Sequence, residues 1–106
     1  MDANTWIKAN FRSSFSVEEL AKTQAMSVST FHQKFKQVIG MGPVQCQKAL
    51  RLTEAHRLML DESNSVTQVA FTVGYESLSQ FIRDYRRKYG CSPKEDIVKV
   101  RSFLKN

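Results

Sequence analysis

A chain of 106 residues with 42% apolar side chains can build one compact domain, or two small units, around a modest core. Its net charge of +6 favours a polyanionic partner or an acidic surface, because a field of that sign draws phosphate from long range. Cys46 and Cys91 form no CxxC pair and sit among no clustered histidines, no apolar run nears the roughly 18 residues of a membrane span, and Met1-Asp2-Ala3-Asn4 opens no signal peptide; a reduced, cytoplasmic protein with neither zinc nor disulfides is expected.

Helices are predicted throughout. Trp6, Ile7 and Ala9-Asn10-Phe11 suggest a first short one, with Asn4 as cap and an end near Arg12-Ser13-Ser14. Ser16 with Glu19 forms a capping-box pattern that opens a second helix, whose Val17, Leu20 and Ala21 point inward. After a turn at Thr23 to Met26, Ser27 caps a third. Val28, Phe31, Phe35, Val38 and Ile39 share one side of it, leaving Ser29, His32, Gln33 and Lys36 on the other until Gly40 ends it.

Gly42-Pro43 then introduces a stretch without helix breakers to about Leu60, carrying Leu52, Ala55, Leu58 and Met59 on an apolar face. A helix of that length spans roughly 27 Å and acts as a stiff spacer rather than a flexible linker. Asp61 to Asn64 is the loop behind it. Ser65 with Gln68 opens a short helix that aligns Val66, Val69, Ala70 and Val73 and stops at Gly74. Ser77 with Gln80 opens the next, in which Leu78, Phe81, Tyr85 and Tyr89 form an apolar face, while Ser79, Ile82, Arg83 and Arg86 look away from it. Ser92-Pro93-Lys94-Glu95 starts a last helix, and the basic residues from Lys99 to Asn106 are expected to fray.

The plan is duplicated. Ser16 to Ala21 matches Ser65 to Ala70 at an offset of 49, and Phe31, Phe35, Gly40 and Pro43 match Phe81, Tyr85, Gly90 and Pro93 at an offset of 50, so the second turn is one residue longer. Each copy reads as a helix, a tight turn and a second helix with a polar outer face, the arrangement that lets a helix-turn-helix place one helix in a DNA major groove. The fold class is therefore all-α, with two helix-turn-helix subdomains (4–42 and 65–98) joined by a long linker helix (43–61) and followed by the tail 99–106.

Candidate base contacts follow from side-chain chemistry. Arg83 can bond guanine O6 and N7 with its guanidinium fork, against the alternative of a surface ion pair with Asp84 or Glu95. Gln33, in the matching position, can read adenine N6 and N7, and His32 can donate to guanine or phosphate. An outward Ile82 meets either a thymine methyl or the next helix, and Ser29 and Ser79 are small enough for close approach. Lys36, Arg86, Arg87 and Lys88, with Thr30 and Gln80 as neutral donors, are candidate phosphate contacts. If about six to eight phosphates are neutralised, log affinity should fall with log salt at a slope of about −5 to −7. The aromatic series Phe31, Phe35, Phe81, Tyr85 and Tyr89 has the spacing of a core rather than of a base-stacking platform.

The run Ala70-Phe71-Thr72-Val73-Gly74-Tyr75-Glu76-Ser77, followed by Phe81, Tyr85, Gly90 and Ser92-Pro93, resembles the signature of the AraC/XylS transcription regulators; Pro43, Arg51-Leu52, Ala55, Leu58 and Met59 fit the same pattern. The likeness extends from Phe15 to Ile97. It implies a bacterial, seven-helix, two-lobed domain that binds double-stranded DNA, with RNA polymerase as the expected protein partner and the effector or dimerisation domain outside this chain. The chain departs from the pattern at Cys46 and Asp96, where the family often has an aromatic, and at Ile97, where arginine is common. A helical module binding an acidic partner is the competing reading. No enzyme and no cofactor are expected, since His32 and His56 lack a carboxylate or nucleophile at useful spacing and no phosphate-binding loop occurs.

Overall fold

The computed structural model describes residues 2–105. Among them are seven helices and no strand: α1 Ala3–Asn10, α2 Val17–Thr23, α3 Val28–Ile39, α4 Pro43–Met59, α5 Val66–Thr72, α6 Leu78–Tyr89 and α7 Pro93–Lys105. The chain divides into two compact units, Met1–Leu50 and Arg51–Asn106, and the division falls inside α4 rather than at its ends. The reason lies in the side chains of α4. Cys46 joins the buried cluster of the first unit with Ile7, Leu20, Phe31 and Phe35, whereas Leu52, Ala55 and Met59 join that of the second with Val69, Val73, Phe81 and Tyr85.

Serine caps set the helix starts. Ser16, Ser27, Ser65 and Ser77 each accept the backbone N–H three residues on, relieving one of the unpaired donors of the first turn. At Ser65 the box is reciprocal, because the Gln68 side chain also accepts the Ser65 N–H at 3.0 Å. Ser92 does the same for Glu95 at 3.2 Å, directly before Pro93. For α1 the expectation of Asn4 is corrected. Asp2 is the cap, accepting the Thr5 N–H at 2.8 Å, and that bond lowers its carboxyl below the usual aspartate value.

The two helix-turn-helix turns share a backbone. Met26 N–H donates to Ala21 O at 3.1 Å, and at the matching place Tyr75 N–H donates to Ala70 O at 3.0 Å. Both turns pass through positive φ, at Ala25 (55°) and at Gly74 (108°). The extra residue of the second copy, Glu76, therefore lies after the shared turn, between Tyr75 and the cap of α6.

Asp96 has a structural explanation in the second unit. Phe35 and Cys46 are both apolar core residues in the first unit; their counterparts, Tyr85 and Asp96, are a hydroxyl and its acceptor, and Tyr85 Oη donates to the Asp96 carboxylate, tying α6 to α7. His56 Nδ1 on α4 lies 2.9 Å from the same hydroxyl and 3.3 Å from Asp96 Oδ2, with its ring stacked on Tyr89 at 5.2 Å. Tyr75 Oη donates to the buried Asp84 at 3.0 Å. Of the basic stretch 99–106 expected to fray, residues 99–105 continue α7 as helix, and Asn106 lies outside the described residues. Arg101 holds it by donating to Met59 O at 3.0 Å and Asp61 O at 3.2 Å.

The buried phenols carry a pH dependence. Desolvation first, and then the facing carboxylates, hold Tyr75 and Tyr85 above the ordinary value of 10.0. Stability from a group whose folded pKa is raised is complete below the unfolded pKa and lost as pH rises above it. The second unit should therefore lose stability steadily above about pH 10, the ordinary tyrosine pKa. Thermal unfolding between about pH 8 and 11.5 checks this, with Tyr85→Phe flattening part of the slope. An unchanged slope in that variant would remove Tyr85 as a source.

Candidate nucleic-acid interface

α3 and α6 are the second helices of their motifs. Each is capped by serine, closed by a glycine in the left-handed conformation and seated on its unit by a pair of aromatics, Phe31 with Phe35 and Phe81 with Tyr85. With one face buried, the helix register turns most of the remaining side chains to solvent.

On α3, Ser29, Thr30, His32, Gln33 and Lys36 are all exposed. Thr30 is partly engaged at the cap, since Ser27 Oγ donates to its hydroxyl at 3.0 Å. The His32 ring lies against Gly42, where an added Cβ would meet Nε2 at 2.8 Å, so a residue 10 positions away sets where that imidazole rests. Gln33 and Lys36 border a shallow recess together with Gln37, a residue that falls outside the contacts expected from sequence. The signal that points to it is spacing, one helical turn beyond Gln33. Val38 does not belong to the apolar face. It is 82% exposed, and its counterpart in the second copy is Lys88, so this register position faces solvent in both units. Val28 is also largely exposed, at 43%.

On α6, Ser79, Gln80, Arg83, Arg86 and Arg87 are exposed. Ile82 is half-buried and packs against the core cluster of its unit, which accounts for much of its apolar surface without a partner. The Arg83 guanidinium stays mostly in solvent, with Nε 3.9 Å from Asp84 Oδ1, while Asp84 itself is turned inward to Tyr75. Lys88 lies back across its own unit. Its ammonium donates to Thr53 Oγ1 at 3.4 Å and sits 5.6 Å from the Tyr89 ring centre, yet it stays exposed, so the basic end of α6 comprises Arg86, Arg87 and Lys88.

The chemistry available on these two helices is hydrogen bonding and positive charge. Among the described residues no group of three or more His, Cys, Asp or Glu is placed to hold a metal, and no helix is long and apolar enough to cross a membrane.

Comparisons with known proteins agree in kind. A family model described as a helix-turn-helix domain matches residues 20–96. Over 90 residues the chain is 34% identical to the HTH-type transcriptional activator RhaS of Escherichia fergusonii, covering 85% of this chain and 32% of that protein. Among solved structures, the DNA-binding domain of AdpA, a global transcriptional factor in complex with a target DNA, superposes with a TM-score of 0.85 at 31% identity, covering 92% of this chain and 88% of that one. A probable AraC family transcriptional regulator from Rhodopseudomonas palustris gives 0.81 at 29%, covering 94% of each. The chain spans about a third of the length of the curated relatives it matches.

Proposed function

We propose, starting from the fact that the chain belongs to the AraC/XylS family of helix-turn-helix transcription regulators, that it binds double-stranded DNA sequence-specifically with α3 and α6 as its two recognition helices. The observation that carries this reading is the duplicated register: each helix is anchored by aromatics at the same positions and turns a polar, cationic stripe to solvent. Residues 4–42 and 65–98 act as the two reading lobes and 43–61 as the helix joining them. Ser29, His32 and Gln33 address bases in one block, and Ser79, Ile82 and Arg83 in the other, with the half-buried Ile82 offering only its outer edge to a thymine methyl. Thr30, Lys36, Gln80, Arg86 and Arg87 hold phosphates. Lys88 joins them when its bond to Thr53 opens. The chain acts in the bacterial cytoplasm, with RNA polymerase as its protein partner and an effector-sensing or dimerising domain as the source of regulation.

Methylation interference on a selected duplex tests the reading. Two contact blocks about 10 base pairs apart are expected, read by one monomer in successive major grooves. Because the outward residues of α3 and α6 differ, the blocks should not repeat each other. Arg83→Ala should cost about 1–3 kcal/mol and relax preference in one block, whereas Lys36→Ala should weaken all duplexes alike. A single block, or a palindrome that requires two protomers, would rule out the bipartite monomer.

A further inference from the structure

α3 carries a second amide one turn beyond Gln33. Gln37 is exposed, and with Gln33 and Lys36 it borders one recess in the solvent face of the helix. The same register positions of α6 hold Arg83, Arg86 and Arg87, also exposed. The two helices therefore differ in kind: two carboxamides flanking an ammonium on α3, three guanidinium groups on α6. A carboxamide sets a donor beside an acceptor and matches adenine N6 and N7, whereas a guanidinium has only donors and matches guanine O6 and N7. Positions four apart on a helix stand about 6 Å apart, and bases along one strand rise about 3.4 Å each, so paired amides in this register address adenines about two steps apart.

We infer that Gln37 is a second specificity-determining side chain of α3, and that Gln33 and Gln37 together select two adenines about two steps apart in the block this helix reads. Lys36 takes the adjoining backbone phosphate. The inference rests on the proposal that α3 lies in a major groove.

Selection of bound duplexes from a random pool tests it, using the 106-residue chain and its Gln33→Ala, Gln37→Ala and Gln37→Arg variants. All three substitutions replace an exposed helical residue with a good helix former, and circular dichroism confirms that the fold is kept. The unsubstituted chain should enrich a block with both adenines. Gln37→Ala should lower the preference at one of them about tenfold and leave the other, Gln33→Ala should do the converse, and Gln37→Arg should move the affected position to guanine. If the unsubstituted chain enriches a motif and the Gln37 variants enrich the same one, or Gln37→Ala weakens every sequence alike, the inference fails while sequence-specific DNA binding stands. If the unsubstituted chain enriches no motif at all, the DNA-binding proposal fails and takes the inference with it.

Discussion

Affinity for a target duplex is expected to fall roughly several hundredfold between about 50 and 200 mM salt. Five cationic side chains stand in solvent at the positions assigned to bases or phosphates on the two recognition helices: Lys36, Arg83, Arg86, Arg87 and Lys88. If each releases one counterion on binding, log affinity falls with log salt at a slope of about −4 to −5. That is shallower than the slope of about −5 to −7 expected from sequence, because the neutral Thr30 and Gln80 release no ions. Titration of a fluorescent duplex at four or five salt concentrations measures it. A slope shallower than about −2 would remove the electrostatic footprint and favour a module that binds an acidic protein surface.

Replacing Gly74 by valine should destabilise the second unit by about 2–3 kcal/mol. Its φ of 108° lies where a Cβ collides with the neighbouring carbonyl, and a β-branched side chain adds rotamer strain to that clash. The turn has little room to relax, since it is closed by the Tyr75 to Ala70 bond and followed by a buried tyrosine. The matching position of the first unit offers the reverse experiment. Ala25 occupies the left-handed region at a cost of about 1–2 kcal/mol, so Ala25→Gly should gain about 0.5–1 kcal/mol after the added chain entropy is counted. Denaturant unfolding measures both. Unchanged midpoints would mean that the two turns do not carry this strain.

Local signals in the chain are the legible ones. Caps at Ser16, Ser27, Ser65, Ser77 and Ser92 depend on a bond three residues away, and the aromatic spacing of α3 and α6 is visible within one helix, so both motifs and all seven helices can be read from the residues alone. What escapes such a reading depends on contacts between distant residues. The helical continuation to Lys105 needs Arg101 to reach carbonyls some 40 residues back. Asp96 makes sense only once the Tyr85 hydroxyl is seen beside it, and the resting place of His32 only once Gly42 is. Val38 has the right period for the apolar face, but period alone cannot tell where a core ends. Asn4 and Asp2 stand two residues apart and both carry a side-chain acceptor suited to a cap, a difference within the ordinary uncertainty of helix ends.

The division of the chain into two units has an optical consequence. The single tryptophan, Trp6, belongs to the first unit, where its ring meets Phe15 edge-on at 5.3 Å, and all three tyrosines, Tyr75, Tyr85 and Tyr89, belong to the second. Indole fluorescence therefore follows one unit, and phenol absorbance follows the other, with no label added. Coincident melting curves from the two chromophores would identify a single cooperative transition, and separated curves would give each half its own stability.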